Sequence, residues 1–353
     1  MKYFLLYVLS MFTVLNCFGQ DPIFSQYYTT PMYVNPAFAA DKQNINFSIN
    51  NRTYTSKQFD NYNLAQVTAI VPFSLDFLYK SSSSLNHYSG TGISVYQEST
   101  GAHNELNSFG ALMTFAHSIQ LYQQHYLALG LQGGYMRRVL GSEFDWGSQY
   151  SIDFGYDPSI VPSIDLADDF TQFATFGAGL QYFYTSSSVQ EQFKQYGFDA
   201  YAGVSFFNVN RPDQSFFEDT ETRLPMAMKV NAGIKYNAAK RLTITPTALW
   251  VRQNELNQIN TGLYANIVTG DAKTVTKKNV IIIVGTWYRF GDSFITTLGC
   301  ALYDFKLALS YDFNASNFEY NNKGRGAAEI SLKYTLPNKD GEDYSRGLLY
   351  PSF

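Results

Sequence analysis

The sequence predicts an all-β fold, a transmembrane outer-membrane antiparallel β-barrel of about 14 strands with an aromatic, proline-containing N-terminal segment. Three observations predict it. The chain opens with an export signal, no apolar run beyond that signal is long enough for a membrane helix, and from about residue 43 onward apolar and polar residues alternate in segments of roughly ten. Composition agrees. Of 353 residues, 17% are aromatic and 15% charged, against roughly 25% charged in an average soluble domain. Tyr and Phe suit the interfacial girdles and lipid face of a barrel, and a mean hydropathy of −0.19 fits ribbons whose other face is wet.

In chain order, residues 1–19 read as a signal peptide. Lys2 gives the positive start, Tyr3 to Leu15 the apolar run, and Cys17 and Gly19 the −3 and −1 positions of a cleavage site before Gln20. A lipoprotein signal is the other reading, because Cys17 ends an apolar stretch; Asn16 is a poor fit to the small residue expected before such a cysteine. With Cys17 removed, only Cys300 remains, so no internal disulfide forms. The net charge of −4 offers no basic footprint for nucleic acid.

Residues 20–42 form an N-terminal periplasmic or plug segment rather than a wall strand. Pro22, Pro31 and Pro36 each remove a ladder donor. Phe24, Tyr27, Tyr28, Tyr33 and Phe38 make it too aromatic to stand free in water, so it packs in the barrel mouth, packs against a partner, or serves as a linker that covers the lumen.

The barrel occupies 43–335, with strands near 43–53, 61–72, 89–98, 105–118, 124–137, 173–185, 197–206, 226–236, 242–252, 257–267, 278–290, 293–302, 304–313 and 326–335. The first shows the pattern: Ile45, Phe47 and Ile49 alternate with Asn46, Ser48 and Asn50. An even count puts both termini on one side, expected to be the periplasm. Compact hairpins fall at Arg289-Phe290-Gly291-Asp292 and Tyr303-Asp304. The long polar stretches 138–172 and 207–225 are assigned to extracellular loops, and Ser81 to Asn86 is a polar connection on the periplasmic side. Glycines inside strands, as in Gly177-Ala178-Gly179, Gly133-Gly134 and Gly203, relieve crowding where the wall bends or a plug approaches. Residues 336–353 form a periplasmic tail whose Tyr350-Pro351-Ser352-Phe353 is no wall strand.

Several segments, taken together in order and spacing, resemble the PorP/SprF family of type IX secretion system outer-membrane proteins. They are Asp21-Pro22, Phe24-Ser25-Gln26-Tyr27, Pro31 and Asn35-Pro36-Ala37-Phe38, then Asn210-Arg211-Pro212-Asp213-Gln214-Ser215-Phe216. Trp287-Tyr288-Arg289 with Asp292, Tyr311-Asp312-Phe313-Asn314, Ser316 and Glu329-Ile330-Ser331-Leu332 complete the series. Two departures stand out: Ala40 replaces a Gly common in the family, and no Gln-Trp follows Asn51-Arg52. The resemblance implies a barrel in the cell outer membrane that assists export or surface anchoring of a large secreted protein carrying a type IX C-terminal signal, such as a gliding adhesin. The implied partners are that cargo, other secretion components and outer-membrane lipid. The partner-binding candidates are Phe24, Gln26, Tyr27, Tyr33, Asn35, Pro36 and Phe38, with Arg211 and Pro212.

Other chemistry is weighed and set aside. His87, His103, His117 and His125 fall on separate strands and loops without a recognisable ligand pair, so no metal or cofactor is expected. Asp153, Asp157, Asp165, Asp168 and Asp169 lack the alternating ligands and glycine turn of a calcium loop. Glu98 with Glu105, or Asp304 with Asp312, would need a nucleophile and an oxyanion site beside them; no Gly-x-Ser-x-Gly, zinc-protease or phosphate-loop motif is present, and the chain is not an enzyme. A passive channel or small-ligand transporter is the alternative function, disfavoured by the low charge and the plug-like segment. A third is a structural role, with the tail Asp343 to Phe353 tying the barrel to periplasmic complexes.

Overall fold

The computed structural model describes residues 24–40, 44–54, 61–73, 87–101, 104–141, 149–151, 155–157, 159–160, 169–186, 198–217, 221–239, 241–269, 280–315 and 326–337. The export signal, Asp21-Pro22, Ser81 to Asn86, His103, Asp153, Asp165, Asp168, Ser316 and the tail from Asp343 lie outside them.

The wall is made of β1 (Asn44–Tyr54), β2 (Tyr62–Phe73), β3 (His87–Thr100), β4 (Leu106–Tyr122) and β5 (His125–Leu140). After a two-stranded hairpin, β6 (Tyr150–Ser151) with β7 (Gly155–Tyr156), it continues with β8 (Phe170–Thr185), β9 (Phe198–Phe207), β10 (Ala227–Ala239), β11 (Leu242–Gln253) and β12 (Leu256–Val268). It finishes with β13 (Ile281–Arg289), β14 (Ser293–Leu302), β15 (Phe305–Asn314) and β16 (Ala328–Pro337). All wall strands pair antiparallel with their chain neighbours, and β1 pairs with β16 from Asn44↔Pro337 to Thr53↔Ala328, so the barrel closes without an edge. Each alternating segment read from the sequence forms a strand. Pro72 in β2 and Pro246 in β11 show that a proline is tolerated in the wall at the loss of one donor.

Alternation sorts the two faces. Ile49, Val67, Ile93, Met113, Leu131, Leu298 and Leu309 point outward and are exposed, Met113 by 64%. Asn50, Gln66, Thr68, Ser94, Thr114, Gln181, Ser205, Thr297 and Ser331 point inward and are buried. A water-soluble barrel has the opposite arrangement; a surface greasy outside and polar within belongs in a bilayer. Among the described residues, no helix is long and apolar enough to cross a membrane.

The largest hydrophobic cluster lies inside the cylinder. It joins Tyr28, Met32, Ala37 and Phe38 of the N-terminal segment to Ile70, Ala116, Ala128, Tyr201, Tyr264 and Trp287 of the wall. The segment consists of three single turns, Tyr27–Thr29, Pro31–Val34 and Pro36–Ala39. Pro31 and Pro36 start the second and third, where a missing N–H costs nothing, and the Asn35 side chain accepts from Ala37 N at 3.0 Å to cap the third.

Candidate functional site

Every residue from Phe24 to Ala40 is buried, and the segment carries no charged side chain. It threads the lumen from one end to the other. Ser25 meets Arg52, Asp312 and Glu329 at the end where β1 finishes, whereas Ala39 reaches Gly90, at the end where β1 starts. The first of these is the distal end, away from the barrel's own strand termini, and it carries the long connections 141–169 and 208–226.

At the distal end the segment is held by charge. The Glu329 carboxylate accepts Ser25 N at 2.7 Å and Gln26 N at 3.1 Å, and the Ser25 hydroxyl donates to Asp312 Oδ2 at 2.6 Å. Arg289 donates to Ser25 Oγ at 2.8 Å, and Arg52 also reaches that oxygen. Both guanidiniums then converge on Asp312 Oδ2, Arg52 at 3.0 Å and Arg289 at 3.4 Å. Buried charges persist only when paired in this way, and removal of one partner is more damaging than the net worth of the pair. Gln26 is satisfied at both ends of its amide: Nε2 donates to Ser310 Oγ at 3.1 Å and Oε1 accepts from Ser331 Oγ at 2.7 Å.

Below this, aromatic packing takes over. Tyr28 stacks on Trp287 at 4.8 Å, and Thr247 Oγ1 accepts from Tyr27 at 2.7 Å and from Trp287 Nε1 at 3.1 Å. Tyr33 sits edge-on to Phe24 and Tyr96, and its carbonyl accepts from Lys229 Nζ at 2.6 Å. Asn35 Nδ2 donates to Leu180 O and Gln181 Oε1, both at 3.0 Å, and Ser205 Oγ donates to Val34 O at 2.6 Å. Phe38 lies edge-on between Phe183 and Tyr201. The close approach needs glycine in the wall: a Cβ on Gly130 would stand 2.2 Å from Ala37 N, and one on Gly179 would stand 2.0 Å from Asn35 Oδ1.

Above the charged floor the distal mouth opens into a cavity of about 590 Å³. Arg52, Arg289 and Asp312 line it, with Tyr54, Tyr62, Glu98, Gln258, Asp292 and Asn314 around them. Across the mouth, the β9–β10 connection folds back on the wall. Asn210 Nδ2 donates to Ala174 O at 2.7 Å, Asp213 Oδ1 accepts Thr222 N at 2.8 Å, and Leu224 N donates to Pro212 O at 2.8 Å. Arg211 is exposed and Pro212 half-buried, so these two candidates face solvent while Phe24, Gln26, Tyr27, Tyr33, Asn35, Pro36 and Phe38 are enclosed by the wall.

The other candidate constellations separate or acquire ordinary partners. His87 and His117, on adjacent strands, stack at 5.7 Å, with Ser89 Oγ 2.8 Å from His117 Nδ1; His125 meets the Tyr182 hydroxyl. Asp157 Oδ1 accepts Ser159 N at 2.9 Å and Ser159 Oγ at 2.7 Å, a local turn. Asp304 lies in the β14–β15 turn, at the opposite end of the barrel from Asp312. Among the described residues no group of three or more His, Cys, Asp and Glu could hold a metal ion. Nothing local in the sequence links Arg52, Asp312 and Glu329 as one cluster; Asp312 and Glu329 fall in family-like segments, and Arg52 lies where that pattern is weakest.

An apolar outer surface, a closed ladder and a lumen occupied by the protein's own N-terminal segment define a plugged transmembrane β-barrel. The chain belongs to the PorP/SprF family: the profile described as "Type IX secretion system membrane protein PorP/SprF" matches residues 16–334. It is thus an outer-membrane barrel protein of the type IX secretion family. No curated protein sequence matches it. Among solved structures it is similar to the CymD monoaromatic hydrocarbon channel, with a TM-score of 0.49, 11% identity and coverage of 88% of this chain and 92% of that one. A TodX monoaromatic hydrocarbon channel deltaS2 mutant gives 0.48 at 7% identity, covering 88% and 94%. A Pseudomonas aeruginosa FadL homologue gives 0.44 at 10% identity, covering 86% and 92%.

Proposed function

We propose that this barrel assists the export or surface anchoring of a large secreted protein, such as a gliding adhesin, by docking it or the translocon at the distal mouth. Family membership supplies the pathway, and the observation that carries the reading is the lumen filled from Phe24 to Ala40. A diffusion channel needs an open polar conduit; a cylinder packed with Tyr28, Met32, Phe38 and Trp287 acts as a rigid mount. Contact with the partner falls to the cavity above Arg52, Arg289 and Asp312 and to the Arg211-Pro212 connection. The enclosed candidates Phe24, Gln26, Tyr27, Tyr33, Asn35, Pro36 and Phe38 serve by fixing the floor on which that contact rests. The segment 20–42 is the mount, 43–335 the barrel, and the tail from 336 the periplasmic end.

The test is deletion of the gene with quantification of secreted proteins bearing the type IX C-terminal signal at the cell surface, joined to isolation of the barrel from detergent-solubilised outer membrane. Loss of one such protein from the surface and its co-isolation with the barrel are expected. Unchanged surface levels with no co-isolated cargo defeat the proposal.

A further inference from the structure

At the distal rim one wall strand outruns its neighbour. β8 pairs with β5 from Phe170 to Tyr184, but with β9 only from Ala178 onward. Among the described residues, Phe170 to Phe176 therefore have no partner strand on the β9 side. Leu140 N donates to Asp169 O, which sets the parity: odd residues of this stretch turn their backbone groups to β5, and even ones turn theirs away from it. The even residues are met only part of the way. Val209 N donates to Phe176 O, and the Asn210 carboxamide accepts Phe176 N at 3.2 Å and donates to Ala174 O at 2.7 Å, standing in for one peptide of a strand. Past Asn210, no bond from a described backbone group reaches Ala174 N or the N–H and C=O of Gln172 on this edge.

The edge is unprotected as well as unpaired. Native sheets blunt exposed edges with Lys, Pro or bulges. Phe170-Thr171-Gln172-Phe173-Ala174-Thr175-Phe176 has no charge, no proline and no glycine, and its Phe and Thr favour extended backbone. It is braced from β5: the Arg137 guanidinium lies 4.7 Å from the Phe170 ring and that of Arg138 5.7 Å from the Phe173 ring. Arg137 and Gln172 pair across the two strands and are exposed, so the edge stands clear of hydrocarbon, where an open edge does not survive.

A row of alternating backbone donors and acceptors at strand spacing matches another extended backbone. Water hydrates each group singly, but hydration gives no reason for the edge to lack the charges and prolines that keep other chains off. The groups point along the wall, over Phe207 to Arg211, and not outward. A barrel lying beside this one in the membrane does not reach them; a chain arriving at the mouth does.

We infer that Phe170 to Ala174 of β8 is a strand-addition site, on which an extended segment of the docked secreted polypeptide pairs as the next strand. This rests on the docking role proposed above and adds the mode of contact.

The experiment compares amide hydrogen exchange, resolved to single residues, in the full-length barrel purified alone and in the complex co-isolated with its secreted protein. In the barrel alone the Gln172 and Ala174 amides are expected to exchange fast, and those of Thr171 and Phe173, which face β5, slowly; in the complex Gln172 and Ala174 slow by about tenfold or more. Ala174→Pro removes an edge donor and no bond to β5. It is expected to lower the co-isolated secreted protein about tenfold against Ala174→Val, which keeps the donor. Both barrels must show the heat-dependent gel mobility of a folded wall. If Ala174→Pro does not, Gln172→Pro against Gln172→Val carries the same expectation, and if neither proline variant folds the exchange result decides. Fast exchange retained in the complex, or equal co-isolation by folded proline and valine variants, overturns the inference and leaves the docking role standing. So does protection already present in the barrel alone, whether it fades on dilution, as pairing with a second copy would, or persists, as closure within the chain would. Absence of any co-isolated secreted protein from the unsubstituted barrel overturns both.

Discussion

Replacement of Asn35 by Ala tests whether the lumen segment is held by the bonds described. The substitution takes the acceptor from the buried Ala37 amide, a loss of about 1–3 kcal/mol. It also removes the bonds donated to Leu180 O and Gln181 Oε1, each about 1 kcal/mol. Gln181 Oε1 keeps its bond from Asn231 Nδ2 at 2.9 Å, so the low end, about 3 kcal/mol, is the fair expectation. At 1.4 kcal/mol per tenfold, the ratio of displaced to docked segment rises roughly 140-fold. The assay is conductance of the purified barrel in a planar bilayer, with a variant lacking residues 24–40 as the fully open reference. Asn35→Ala should open about two orders of magnitude more often than the parent. If the deletion conducts while Asn35→Ala stays as silent as the parent, the assigned bonds do not hold the segment.

Gly130→Val puts a side chain against the Ala37 backbone and should displace the segment, raising conductance, while Gly133→Val, which meets nothing nearer than 3.8 Å, should not. Trp287→Ala removes the surface on which Tyr28 stacks and should destabilise the folded barrel by about 3–5 kcal/mol, read as a lower urea midpoint. Met113→Lys, on the lipid face, should cost about 2–4 kcal/mol in membrane stability if Met113 lies near the midplane, read in the same titration.

The wall was legible because a strand between lipid and water writes its two faces into alternate residues, as Ile45 to Asn50 do. The prolines and aromatics of residues 24–38 likewise announced a segment that is packed but not part of the wall. Its direction through the lumen was not legible. That direction is fixed by Ser25 with Asp312 and Gln26 with Glu329, contacts separated by 287 and 303 residues, for which no spacing rule exists. Arg52 illustrates the limit: it stands where the family-like pattern is weakest, yet it closes the ion network at the distal mouth. The stacking of His87 on His117 was hidden for a similar reason, since it depends on the register Ser89↔His117 rather than on sequence distance.

The pairing of β1 with β16 has a consequence for biogenesis. Glu329 and Ser331, which grip Ser25 and Gln26, belong to the last wall strand to be translated, whereas the residues they grip precede the first. The grip on Ser25 and Gln26 by Glu329 and Ser331 therefore requires the closing strand, whereas Gln181 and Ser205 hold Asn35 and Val34 without it. A barrel in which β16 has not docked has both an open seam and a loosened distal end of the lumen segment.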